Sequence, residues 1–95
     1  MDARDPLVTI DFAVADPRYG DPLRYAVRAA ETRRAGVRYD VIAVVPNATD
    51  AAAGQTHGQD VMRTIMLERV PSSRVNLGLR IDPSVSSVRV LVYVR

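Results

Sequence analysis

Tyr39-Asp40-Val41-Ile42-Ala43-Val44-Val45 is the stretch on which the fold turns. Apart from Asp40 it is apolar throughout, too short for a buried helix and rich in β-branched residues, so it reads as a strand covered on both faces. Such a strand belongs in the middle of a sheet. Upstream, residues 7–14 carry Val8, Ile10 and Phe12 in alternation with Thr9 and Asp11, a strand that stops at Asp16-Pro17. Between the two, a turn over 16–20 leads into a helix with Asp21 as cap and Pro22 in the first turn. Its stripe is Leu23, Ala26, Val27 and Ala30, and Gly36 closes it. A strand, a helix and a short return make a βαβ unit with the two strands parallel.

Downstream of Val45 the pattern loosens. Residues 46–58 are small and polar and read as one long irregular stretch. Thr56 and Gln59 resemble a capping box for a helix running to about Arg69, with Val61, Met62, Ile65 and Met66 facing inward. Pro71 ends that helix. Val75, Leu77, Leu79 and Ile81 then alternate with Asn76, Gly78, Arg80 and Asp82, a strand with one wet face. After a turn-rich linker over 82–87, Val88, Val90, Val92 and Val94 make a last strand. Six residues are too few for a parallel crossover, so these two strands pair antiparallel if they are neighbours. If the last strand lies at an edge, its length and valine content let it accept a strand from a partner.

The resulting order is βαβαββ: a two-layer α/β sandwich with a mixed four-stranded sheet and two helices on one face. Ninety-five residues with 47% hydrophobic and 25% charged composition make one globular domain over residues 7–95, with 1–6 expected to be a disordered N-terminal segment.

Composition excludes several chemistries. Without cysteine there is no disulfide framework, thiol nucleophile or thiolate zinc site. All thirteen basic residues are arginine, so a lysine base, a Schiff base and a P-loop are absent. That bias reads as mutational. The net charge of +2 is spread among eleven acids, and only five aromatics are present, so no nucleic-acid surface is expected. No run approaches the roughly 20 apolar residues of a membrane span. The N-terminus lacks the apolar core of a secretory signal, which leaves a cytosolic protein or an exported one without its leader.

His57, the one histidine, is in reach of an imagined triad with Thr49, Asp50 or Ser72, but nothing in the spacing demands it. One histidine among scattered aspartates makes no metal site, and no cofactor is expected. Asn47, Thr49, Asp50 and Gln55 lie in a polar stretch that opens a helix, a natural place for an anion or amide.

Three segments carry a family resemblance. Pro46-Asn47-Ala48-Thr49-Asp50 stands where OmpA-like domains end their second strand in Gly-His-Thr-Asp. Val70-Pro71-Ser72-Ser73-Arg74-Val75 resembles their entry to the next strand, and Val88–Val94 their closing strand. Val45-Pro46-Asn47 and Val90-Leu91-Val92-Tyr93-Val94-Arg95 are also similar to CpaD-type pilus biogenesis proteins of the Tad/Flp system. The resemblance implies a non-enzymatic periplasmic or outer-membrane-associated module, a partner-binding scaffold of a secretion or pilus-assembly apparatus. Carried over residue by residue, it places the ligand acid of peptidoglycan-binding members at Asp50. The matching arginine position holds His57, with Arg63 further along the helix. The expected working residues are therefore Asn47, Thr49, Asp50, Gln55, His57 and Arg63, in contact with protein partners of an envelope complex. Peptidoglycan stem-peptide binding through residues 47–63 is the alternative, and a small cytosolic enzyme using His57 the second.

Overall fold

A computed structural model describes residues 5–13 and 17–95. Most of the expected N-terminal segment, and the turn at residue 16, lie outside the described residues. Four strands and two helices follow in the order β1 (Val8–Asp11), α1 (Gly20–Arg33), β2 (Tyr39–Val45), α2 (Ala51–Met66), β3 (Val75–Ile81) and β4 (Arg89–Val94). They form a two-layer α/β sandwich with one mixed sheet, ordered β1-β4-β2-β3.

β2 is central, as its unbroken apolar run predicts. It pairs parallel with β3, Tyr39 opposite Val75 and Val45 opposite Ile81. On its other side it pairs antiparallel with β4, Val41 opposite Val92. β1 closes the far side against β4, with Val8 opposite Val92 and Ile10 opposite Val90. Strands β1, β2 and β3 therefore run the same way and β4 alone runs against them. β3 and β4 are antiparallel in direction but are not neighbours. The expectation of β4 as a partner-accepting edge is corrected: it lies between β1 and β2, and the edges are β1 and β3.

One face of the sheet carries Ile10, Tyr39, Val41, Ala43, Val75, Val90 and Val92. Leu23, Val27 and Ala30 of α1 and Val61 and Ile65 of α2 join them in a single buried cluster. Both helices thus cover the same face, and hydrophobic burial there is the main source of stability. Among the described residues the opposite face has no second layer. Across it runs the row Asp11, Arg89, Val44 and Arg80, and Val44 and Tyr93 are nevertheless buried. The long arginine stems on either side of Val44 supply apolar cover, and Arg89 Nε is itself buried there without a hydrogen-bond partner.

The local differences from the sequence reading have physical causes. α1 starts at Gly20 with Tyr19 at the N-cap and no side-chain cap; Asp21 is inside the first turn and pairs with Arg24 at 2.6 Å. Gly36 takes φ +79°, two residues past the C-cap Arg34 rather than directly after the helix. β1 ends at Asp11, whose carboxylate accepts the Ala13 N–H at 2.9 Å and turns the chain. The largest correction concerns residues 46–58. They are not a loop: Ala48–Asp50 form a 3₁₀ turn that continues directly into α2. Asn47 is the cap, its side chain accepting the Asp50 N–H at 3.2 Å, while Thr56 sits inside the helix and donates back to the Ala52 carbonyl at 3.1 Å. α2 ends at Met66, short of the expected Arg69, and Arg69 itself takes φ +65° where the chain leaves the helix. Of its expected inward residues Val61 and Ile65 are buried, Met62 packs at the margin of the core and Met66 is 38% exposed.

Gly54 and Gly58 decide how closely α2 approaches the sheet. A Cβ on Gly54 would lie 2.6 Å from Val45 Cγ1, and one on Gly58 would lie 2.8 Å from Leu77 Cδ1. Val45 is fully buried and β-branched, so it cannot yield; Leu77 is only half-buried and presents the far end of a flexible side chain. Gly54→Ala should therefore lower stability by about 1–2 kcal/mol, overpacking exceeding the gain in helix propensity. Gly58→Ala should change it by less than about 0.5 kcal/mol or raise it. Urea denaturation of the two variants checks this ordering, and equal losses would refute it.

A polar clamp ties α1 to the sheet. Tyr39 donates its hydroxyl to Glu31 at 2.8 Å. Arg74 donates to the same carboxylate at 3.0 Å and to the Val37 carbonyl at 3.0 Å. Burial, then the Glu31 carboxylate, hold the Tyr39 phenol well above its ordinary value of 10.0. Because the folded state keeps this proton and the unfolded state releases it, stability is intact below pH 10 and falls above it. The expected slope is up to about 1.4 kcal/mol per pH unit, and thermal melts of Tyr39→Phe should show a shallower alkaline decline than wild type.

Candidate functional site

The six residues singled out from the sequence all lie between Asn47 and Arg63, but the structure does not gather them. Asn47 is exposed and occupied as a helix cap. Thr49 is exposed in the 3₁₀ turn, and Asp50 stands half-buried at its junction with α2. Gln55, His57 and Arg63 then ride on one continuous helix. At 1.5 Å per residue Asp50 and Arg63 are about 20 Å apart along the axis, and two residues of helix put Gln55 and His57 about 200° apart around it. A single ligand head group cannot touch all of them.

His57 and Arg63 each have a local partner. The His57 ring stacks on Phe12 with centroids 3.9 Å apart and planes at 20°, and Phe12 in turn meets Tyr19 edge-on at 5.8 Å. The histidine thus joins α2 to the end of β1 through its aromatic face. Arg63 donates to Asp60 at 2.9 Å, an exposed pair one turn apart. Beside them burial raises the Tyr19 phenol, a shift opposed by its bond to Thr64. This is a packing seam between α2 and the β1–α1 connection. Among the described residues no group of three histidines or acids converges on a metal position. The cleft of about 330 Å³ at the foot of α1 is lined by Leu7, Ala30, Arg33, Arg34, Val37 and Val94, none of the six.

At the C-terminal ends of the parallel strands the open sheet face carries Arg80 and Arg89 beside Asp11 and Asp82. Asp11 accepts from the Ala13 N–H and the Ser87 hydroxyl, and these bonds, with the nearby Arg89 charge, hold its carboxyl below the usual range. Asp82 accepts from the Ser84 hydroxyl at 2.7 Å and the Ser84 N–H at 2.9 Å. Those bonds lower its carboxyl too, with Arg80 and Arg89 adding to the effect. Two arginines facing two depressed carboxylates form a balanced patch and not an anion receptor.

The feature that sequence reasoning missed is the edge at β3. Asp82 N–H donates to the Val45 carbonyl at 2.8 Å. In a strand the backbone groups alternate sides, so Asn76, Gly78 and Arg80 also turn theirs toward β2, and Val75, Leu77, Leu79 and Ile81 turn theirs away. β3 is seven residues long, contains no proline or lysine, and leaves Leu79 42% and Ile81 51% exposed. His57 and Thr64 mark the flank of α2 that faces β1, so Met62 and Met66, on the opposite flank, overhang β3. Backbone donors and acceptors and an apolar rim therefore run together along one side of the molecule. The alternation at 75–81 was visible in the sequence, but its position at an edge depends on β4 inserting between β1 and β2.

Comparison with known proteins gives this chain no family. No family model matches it, and no curated protein does. Among solved structures it is similar to one of 2C-methyl-D-erythritol-2,4-cyclodiphosphate synthase, at 18% identity and a TM-score of 0.46, over 82% of this chain and 53% of that one. The chain thus spans about half of the synthase chain, and at that level of likeness none of its chemistry is transferred.

The OmpA-like and CpaD-type assignment is corrected accordingly. Neither family models nor curated proteins support the resemblance, and the structural likeness reported above is to a synthase. The structure supplies the physical reason: the polar loop on which the resemblance leaned is a helix, and its residues point in different directions. The scaffold role in a secretion or pilus apparatus and the peptidoglycan alternative fall with it. Among the described residues no helix is long and apolar enough to cross a membrane.

The seam at His57 is testable. His57→Ala should lose about 1 kcal/mol of stability by removing the stacked ring, whereas His57→Phe should retain it. Chemical denaturation of both variants provides the measurement, and equal destabilisation would show that the ring face is not what matters.

Proposed function

We propose that this chain is a non-catalytic association domain that binds an extended polypeptide as a fifth strand beside β3. The observation that carries the reading is the unpaired, seven-residue edge with Leu79 and Ile81 standing exposed on it. An incoming strand would bond to the outward backbone groups of Val75, Leu77, Leu79 and Ile81, which supply affinity without regard to sequence. Its alternate side chains would lie under the overhang of α2, where Met62 and Met66 favour apolar residues. The spread of the titratable candidates along α2, and the aromatic engagement of His57, support binding over catalysis.

Titration of labelled extended peptides with alternating apolar residues tests the reading. Binding should protect the amides of residues 75–81 from hydrogen exchange, and Ile81→Lys should weaken it at least about tenfold, since an edge lysine disfavours strand addition. Peptides that bind without protecting β3, or that ignore Ile81→Lys, would overturn it.

A further inference from the structure

Resting on that reading, we infer that the strand seated on β3 is β3 of a second copy, joined antiparallel about a two-fold axis through Gly78.

The argument begins with the glycine. Gly78 interrupts an otherwise good strand, where glycine lowers stability relative to a residue with a side chain. A Cβ built on it meets nothing within 4 Å, and its φ is not positive. Neither packing nor backbone conformation inside the chain requires it. A strand glycine without an internal reason is a common mark of close approach by another backbone.

The sequence around Gly78 is complementary to its own reverse. Antiparallel pairing centred there sets Leu77 opposite Leu79 of the second copy, Val75 opposite Ile81 and Asn76 opposite Arg80. These pairs match in kind: apolar with apolar on the helix side and polar with polar on the open side. The backbone agrees. The residues whose N–H and C=O groups point outward are Val75, Leu77, Leu79 and Ile81, and this register makes each of them one of a hydrogen-bonded pair. The two Gly78 residues then meet at a non-hydrogen-bonded position, where Cα atoms approach to about 4.5 Å. An isologous contact of this kind closes on itself and leaves no further β3 edge to grow from.

The apolar rim is accounted for as well. Gly58 lies over Leu77, so Met62, one turn further along α2, stands at the level of Val75. Ile81 of the second copy arrives beside Val75, beneath Met62 and Met66. The side chains left exposed along this edge, Leu79, Ile81 and Met66, are those the two-fold would cover.

The absence of cysteine makes the register directly measurable. Sedimentation of the wild-type chain over a dilution series should show a species of twice 10.4 kDa that dissociates on dilution, and Ile81→Lys should shift it to the monomer. Under mild oxidation Gly78→Cys should form a disulfide-linked dimer, because Cα atoms at that position fall within the range a disulfide spans. Asn76→Cys should not, since its opposite number is Arg80. Mixing Asn76→Cys with Arg80→Cys should restore the cross-link. A wild-type chain that stays monomeric, or cross-linking as efficient at position 76 as at 78, would overturn the two-fold. The two readings fail separately: a monomer that still takes up strand peptides at β3 removes the self-pairing and keeps the association role, whereas a monomer that takes up none removes both.

Discussion

The contact between α2 and the sheet at Gly54 and Gly58 sets the shape of this molecule. With no side chains at these positions the helix rests directly over Ala43 and Val45 of the central strand, and Leu77 and Leu79 pack their ends against its backbone. A helix seated this low buries Val41, Ala43 and Val45 on the covered face of β2. Toward the C-terminal end of β3 it presents glycine, Gly58 at Leu77 and Gly54 at Leu79, so that cover thins there. Val75 is buried, Leu77 is half-buried, and Leu79 and Ile81 are exposed. The same constraint that seals the middle of the core therefore opens its margin. The rim proposed as a binding edge is a consequence of how tightly the centre is packed.

The second organising element is polar. Glu31, Tyr39 and Arg74 come from α1, β2 and the 3₁₀ turn before β3. Their mutual bonds hold the start of both parallel strands against the first helix. Arg74 also satisfies the Val37 carbonyl in the α1–β2 connection. A half-buried carboxylate is held there by the two donors that reach it. This gives the Val70-Pro71-Ser72-Ser73-Arg74-Val75 segment a reason of its own. Pro71 precedes a turn that aims Arg74 inward, and any α/β fold needing a clamp at that corner would find such a segment useful.

What could be read from the sequence was whatever a period or an apolar run encodes. β2, α1 and β3 were legible because Tyr39–Val45, Leu23–Ala30 and Val75–Ile81 each carry one unambiguous pattern, and the βαβαββ order followed. The candidate site was not legible. Residues 46–58 are small and polar, which describes a loop and equally an alanine-rich helix start. The tertiary role of Gly54 and Gly58, close approach to Val45 and Leu77, has no local signature. Once those residues are helical the six candidates fan out around an axis. The place of β4 was hidden for a different reason. A six-residue connection fixes its direction but not its neighbour, and only the burial of Val90 and Val92 between two strands decides which side it takes.

That insertion makes the two edges unequal, and the inequality argues for function. β1 is short, four residues beginning just after Pro6, and its end is turned away by the Asp11–Ala13 bond. Short strands, prolines and local kinks are the devices by which proteins discourage pairing at an edge. β3 has none of them. It is long, regular and apolar on one side, and it carries a glycine that serves nothing within its own chain. Arginines occupy its polar side and the flanking turn, but both Arg74 and Arg80 stand beside acids that offset their charge. A monomer with no use for this edge would gain stability from a β-branched residue at position 78 and solubility from a lysine at 79 or 81. The chain forgoes both at one strand while protecting the other, and that contrast is what a strand evolved to be paired would show.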